Sequence, residues 1–134
     1  MRTTLAPAAA MALALLRHLW PLPWTALGLA AALAVAAGGG RVRWRDGALE
    51  ATGGALGRLA ARGPFAALTL GHVILASSAR AARRLGAHER AHVRQYEAWG
   101  PLFVPAYLLA GLWQWLRGRH AHADNPFETA AGPT

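Results

Sequence analysis

A nearly unbroken run of Ala, Leu and Val from Leu5 to Ala37 constrains this chain more than any other feature. Its main interruptions are Arg17-His18, Thr25 and the Pro21-Leu22-Pro23 step. A segment this apolar must lie under a core or in lipid, and 134 residues leave room for a single ordinary core. Charged residues make up only 15% of the chain, against a usual share of about 25%, so little polar surface is at hand to cover it. At about 1.5 Å per residue, Trp20 to Ala37 reaches about 27 Å, close to the roughly 30 Å of a hydrocarbon core. Trp20 and Trp24 fit an interfacial belt, Pro23 fits a first helical turn, and Gly38-Gly39-Gly40 ends the segment. Residues 1–40 therefore read as a transmembrane anchor whose partner is the lipid bilayer of the cell membrane. Arg41, Arg43 and Arg45 follow at once and favour a cytoplasmic C-terminal portion. Arg2 and Arg17 oppose that orientation for a single span and support it for a hairpin. A cleaved signal is the competing reading, because Ala34-Val35-Ala36 has the small-residue pattern of a cleavage site. Against it, the apolar core starts far from the N-terminus and has two prolines ahead of it.

Residues 41–134 read as a minidomain of α+β class. Val42 and Trp44 alternate up to Asp46-Gly47, and Leu49 and Ala51 follow, which is a hairpin signal. Ala55 to Arg62 is weakly helical, and Phe65 to Ala76 reads as one further strand of a short antiparallel sheet. Ser77-Ser78 marks an N-cap, and the spacing predicts a helix over Ala79–Trp99, ended by Gly100-Pro101. The apolar stretch Leu102 to Leu116 is short for a span and predicts a buried or re-entrant helix.

With no cysteine, disulfides, thiolate zinc sites, iron–sulfur clusters and a thiol nucleophile are excluded. The formal charge is +8, and all 14 basic residues are Arg. Nucleic acid is not an expected partner, since a basic face is present without groups placed to contact bases. No P-loop, dinucleotide fingerprint or G-x-S-x-G occurs.

His88-Glu89-Arg90-Ala91-His92, inside the expected long helix, carries the chemistry. Two His four residues apart share one helical face, about 5–6 Å between Cβ atoms, where one Zn2+ can accept both. Glu89 is then placed to take a proton from a metal-bound water. A third ligand is required. Glu97 lies five residues past His92, about 500° around the helix, and points away. Asp46 and Glu50 belong to the hairpin, and Asp124, Glu128, His120 and His122 lie downstream as candidates. Glu128 is also explained as half of a capping box, with Asn125 as the cap and Pro126 at the first helical position. Donors for a developing oxyanion could be Tyr96, Tyr107, His72, His120 or His122. Tyr96 and Trp99 more commonly serve a core, and His72 among apolar neighbours reads as a satisfied core histidine.

The stretches His88-Glu89-x-x-His92-Val93-Arg94-Gln95-Tyr96-Glu97, Trp99-Gly100-Pro101-Leu102-Phe103 and Asp124-Asn125-Pro126-Phe127-Glu128 resemble a family of small, uncharacterised bacterial membrane proteins. Thr69-Leu70-Gly71-His72-Val73 fits the same pattern, so the resemblance covers the second half of the chain. More broadly it is similar to gluzincin-type metallopeptidases. That resemblance implies His88, His92 and Glu128 as zinc ligands and Glu89 as general base. It also implies that the strand Ala67–Leu75 is an edge able to align an extended peptide or protein substrate. The family often continues the Glu128 helix with another acidic residue, whereas Gly132-Pro133 cuts it short here. The rival expectation is a membrane protein that binds metal without turnover, or uses the helix only for packing.

Overall fold

The computed structural model describes residues 6–134; Arg2 and Leu5, which enter the reading of the N-terminal segment, lie outside the described residues. Two helices open it, α1 (Pro7–Leu19) and α2 (Leu22–Ala37), followed by strands β1 (Arg41–Arg45) and β2 (Ala48–Thr52). A short helix α3 (Gly54–Ala60) leads to β3 (Ala67–Leu70) and β4 (Val73–Ala76). Then come the long helix α4 (Ala79–Trp99), a 3-10 turn over Gly100–Leu102, α5 (Phe103–Leu116) and the six-residue α6 (Pro126–Ala131). The class is α+β, as the sequence implies.

The sheet differs from the expected antiparallel one. Its order is β1-β2-β4-β3, and β2 pairs with β4 in parallel, Leu49 opposite Val73 through Thr52 opposite Ala76. The expected single strand from Phe65 to Ala76 is a hairpin, turned at Gly71-His72, with Leu70 opposite Val73. Gly71 takes a positive φ of 60°, and a side chain there would run into Thr25 of α2. Strand β3, not the whole stretch Ala67–Leu75, is therefore the edge. The first hairpin forms as read: Asp46 and Gly47 both have positive φ, which suits a two-residue turn between right-twisted strands.

Alternation along the strands gives the sheet two apolar faces, each covered by a helix. On one, Ala51 and Val73 pack with Ala32 and Val35 of α2. On the other, Ala48 and Ile74 meet Val93, and Ala76 meets Ala81 and Ala82, all from α4. The helix α4 starts where the sequence places it, with Ser78 Oγ accepting the Ala81 amide at 3.1 Å.

The N-terminal segment is not one straight helix. Among the described residues no one helix is long and apolar enough to cross a membrane. Helices α1 and α2 meet that requirement only together, and they are bent by 60° at the Pro21 break. The reason is twofold. Pro21 and Pro23 interrupt the ladder, and α2 gives the face of Gly28, Ala32 and Val35 to the sheet. Its remaining surface is apolar and exposed, Leu27, Leu29 and Leu33 among it.

Candidate metal centre

Four residues apart on α4, His88 and His92 turn their imidazoles to the same side, and α6 brings Glu128 between them. His88 Nε2 and His92 Nε2 lie 2.8 and 3.2 Å from Glu128 Oε2, and 3.1 Å from each other. All three residues are buried, and their ligand atoms fall within 4.8 Å of one another. A tetrahedral zinc site with bonds of about 2.0–2.1 Å separates its donors by roughly 3.3 Å, so the spacing fits.

The outer ring nitrogens set the chemistry of the inner ones. His88 Nδ1 lies 2.7 Å from the Gly132 carbonyl, which can only accept, so Nδ1 carries the proton. Gln95 Nε2 donates to the Phe127 carbonyl at 2.9 Å, which turns Gln95 Oε1 towards His92 Nδ1 at 2.8 Å. His92 therefore also carries its proton on Nδ1. Two imidazole lone pairs and a carboxylate oxygen then converge with no donor among them, an arrangement that needs a cation or an extra proton. The donor set suits zinc chemically: neutral nitrogen with one carboxylate oxygen.

Glu128 is held for this role. Its second oxygen, Oε1, accepts from Tyr107 Oη at 2.6 Å and has His122 Nε2 3.1 Å away as an ion-pair neighbour, leaving Oε2 to the histidines. Burial alone would raise the Glu128 pKa, but hydrogen bonds from His92 and Tyr107 and the charges of His92 and His122 draw it down to about 2. For His92, burial acts to lower the pKa, and the Glu128 and Gln95 hydrogen bonds with the Glu128 and Glu89 carboxylates outweigh it and raise it. The capping-box role of Glu128 is not what forms. Asn125 Oδ1 caps the Phe127 amide at 3.0 Å, and the Glu128 carboxylate faces the histidines instead.

Short as it is, α6 is firmly fixed. Asn125 Nδ2 donates to the Tyr107 carbonyl, Gln95 holds Phe127, and His88 holds Gly132. Phe127 also packs edge-on against Phe103 and Trp99.

Of the other sequence candidates, His120 faces away: its Nδ1 accepts the amides of His122 and Ala123, capping its own turn. His122 touches the far oxygen of Glu128 and is 41% exposed at the mouth of a cleft of about 450 Å³. Tyr107 and Tyr96 line the same cleft, though the Tyr96 hydroxyl is taken by the Thr69 carbonyl at 3.1 Å. His72 is remote from the cluster, where it pairs with Glu97 at 3.0 Å. Its Nδ1 is buried without a partner, so it is only half satisfied as a core histidine. Trp99 is half exposed rather than core.

Glu89 lines the cleft beside His92. Thr69 Oγ1, on the edge strand β3, donates to Glu89 Oε2 at 2.6 Å, and among the described residues Glu89 Oε1 has no hydrogen-bond partner. Two functional residues went unread from the sequence. Gln95 stands at i+3 from His92, a spacing that could have pointed to it. Thr69, twenty residues upstream of Glu89, offered no such signal.

No family model, curated protein or solved structure matches the chain. What the cluster can do therefore rests on its geometry.

Proposed function

We propose that the protein is a membrane-anchored, zinc-dependent hydrolase of peptide bonds, with His88, His92 and Glu128 as the metal ligands and Glu89 as the general base. The observation that carries this reading is the convergence, 2.8 to 3.2 Å apart, of a carboxylate oxygen and two imidazole nitrogens whose tautomers are fixed from outside. Zinc bound there would supply an acidified water, with a pKa near about 7, and an electrophile for a carbonyl oxygen.

The chain's own groups do the rest. Glu89, with one oxygen tied to Thr69, is oriented to accept a proton on the other and return it to a leaving amine. His122, part-exposed at the mouth of the cleft, is the donor placed for charge that develops on the substrate oxygen, while the Tyr107 hydroxyl is committed to Glu128. The edge strand β3 lines the cleft, with room to take up an extended peptide by strand addition. Apolar surface left open on α2 and on α5, where Leu108, Leu109 and Trp113 are exposed, supports attachment to a bilayer. A cytoplasmic position for the C-terminal portion follows from the arginines after α2.

Elemental analysis of the detergent-purified chain, paired with hydrolysis of a mixed peptide library, tests the proposal. The wild type and Glu89→Gln should each hold one zinc per chain, and His92→Ala and Glu128→Ala should lose it. Glu89→Gln should lower hydrolysis by about 10²–10⁴-fold. Zinc bound with equal hydrolysis in the wild type and Glu89→Gln would leave a metal protein without turnover. Absence of zinc after reconstitution would overturn the metal centre itself.

A further inference from the structure

A second concavity lies on the opposite edge of the sheet, between β1 and the start of α4. It is a groove of about 420 Å³ lined by Arg41, Arg43, Arg45 and Arg83, with Glu50 among its walls. The three arginines of β1 alternate along the strand, so all three fall on the face that α4 covers. Arg83 faces them from the first turns of α4.

The counter-charge is small. Glu50 Oε1 lies 3.5 Å from Arg45 and 3.6 Å from Arg90. Arg90 is further tied to the Arg45 carbonyl at 2.7 Å. Among the described residues, Arg41, Arg43 and Arg83 have no carboxylate in ion-pair range. Glu50 is 2% exposed, and its Oε2 is buried without a hydrogen-bond partner. The groove thus has an excess of guanidinium, which suits a phosphate, and one carboxylate oxygen short of a donor.

Its place in the chain indicates where such a group would come from. Arg41 is four residues past the end of α2, the more apolar half of the bent helix pair. A basic cluster directly after an apolar anchor lies where phospholipid headgroups are concentrated.

We propose that this groove binds the headgroup of an anionic phospholipid, with the phosphate on Arg41, Arg43 and Arg83 and a headgroup hydroxyl directed to Glu50. This goes beyond the hydrolase reading and does not depend on it. A phosphoglycerol headgroup has both the phosphate and the hydroxyls. A phosphocholine headgroup has the phosphate but no donor and no net charge.

Native mass spectrometry of the full chain in a neutral detergent tests the site, with dioctanoyl phosphatidylglycerol and dioctanoyl phosphatidylcholine titrated separately. One phosphatidylglycerol per chain should bind in preference to phosphatidylcholine. In the double variant Arg43→Gln/Arg83→Gln, that adduct should weaken roughly 30-fold, about fivefold for each arginine. The double variant Arg117→Gln/Arg119→Gln removes the same charge elsewhere and should leave it unchanged. Far-ultraviolet circular dichroism and the melting temperature of each variant report whether the fold persists. Should the groove variant unfold, Arg43→Lys alone should still weaken the adduct, because it keeps the charge and loses the two-pronged contact. Equal adducts with the two lipids, or equal losses in the two double variants, would overturn the proposal. So would displacement of the lipid by an equal concentration of inorganic phosphate, which would make the groove a site for free phosphate.

Discussion

Helix α4 takes part in two histidine–carboxylate pairings of similar length. His88 meets Glu128 at 2.8 Å near the middle of the helix, and Glu97 meets His72 at 3.0 Å near its end. Distance does not separate them; the other ring nitrogen does. At His88 and His92, Nδ1 is engaged by Gly132 and Gln95, which leaves Nε2 as a bare acceptor facing a further acceptor. At His72, Nδ1 has no partner, so the proton goes to Nε2 and is donated to Glu97, and the pair is complete with one hydrogen bond. The ring of His18 stacks on His72 at 4.3 Å and closes that pair with a helix rather than a cleft. One pairing is short of a cation; the other is a tie between the β3–β4 turn and α4. The supporting atoms, more than the His and Glu themselves, decide which of the two a sequence makes.

The largest effect that separates the two is metal removal. Chelation should lower the melting temperature of the wild type sharply, because a ligand present at a thousand times its dissociation constant contributes about 4 kcal/mol to the folded state. Differential scanning calorimetry with and without zinc would measure it. A His72→Leu/Glu97→Leu variant should show the same zinc-dependent shift as the wild type. A smaller shift in that variant would mean the two pairs are coupled through α4.

Next in size is the contribution of Gln95. Replacing it with Leu removes the acceptor that fixes the His92 tautomer and the donor that holds Phe127 beside Glu128, while the three ligand residues themselves are unchanged. Zinc affinity, read by competition with a chromophoric chelator, should fall about 10–100-fold. Glu97→Gln, two residues along the helix, should change it less than twofold.

These two residues also show what the sequence discloses. Helix periodicity and the Ser78 cap place α4 at its observed ends, so the relation of His88 to His92 is legible at once. The Asp46-Gly47 turn is equally local and forms as read. Glu128 was one of several open choices on spacing, because a capping role accounts for it equally well until Asn125 is seen to cap alone. Contacts distant in sequence were not legible. The pairing of His72 with Glu97, the tie of Thr69 to Glu89 and the parallel pairing of β2 with β4 join elements far apart in sequence, as does the close approach of the Gly71 turn to Thr25 of α2. That turn has no signal of its own in Leu70-Gly71-His72-Val73, where apolar neighbours imitate one continuous strand. The same limit applies to α2, whose uniform Ala and Leu content hides which face the sheet will take.

The pH response should be opposite with and without metal. In the chelated protein, Glu128 has a pKa of about 2, below its ordinary 4.5, so its contribution is complete above about pH 4.5 and is lost as pH falls towards 2. The raised pKa of His92 acts in the other direction: its contribution is complete below 6.5 and is lost as pH rises through the folded-state value. As far as this pair governs it, the metal-free protein should be most stable between about pH 4.5 and 6.5. With zinc the upper part of the profile turns over, since both imidazoles must be unprotonated to bind and affinity rises with pH. Urea midpoints from pH 3 to 8, with and without zinc, should coincide at the acid end and separate as pH rises. Parallel curves would mean that the metal does not compete with a proton at His92.

The smallest effect belongs to the structural pair itself. Breaking it from one side, as in His72→Leu, leaves Glu97 with an unmet carboxylate, but one that is partly exposed and can turn to water. Replacing both partners also removes the orphaned Nδ1 of His72, whose burial costs free energy in the wild type. The two terms oppose, and a buried ion pair exchanged for apolar groups of similar volume is often close to neutral. His72→Leu/Glu97→Leu should therefore shift the unfolding free energy by no more than about 1 kcal/mol in urea titration. The same treatment of His88 and Glu128 should instead abolish zinc binding and all of the stability that depends on it. A loss of several kcal/mol at the His72 pair would show that this second pairing is more than a tie, and that its unpartnered nitrogen has a role beyond the packing of α1 on α4.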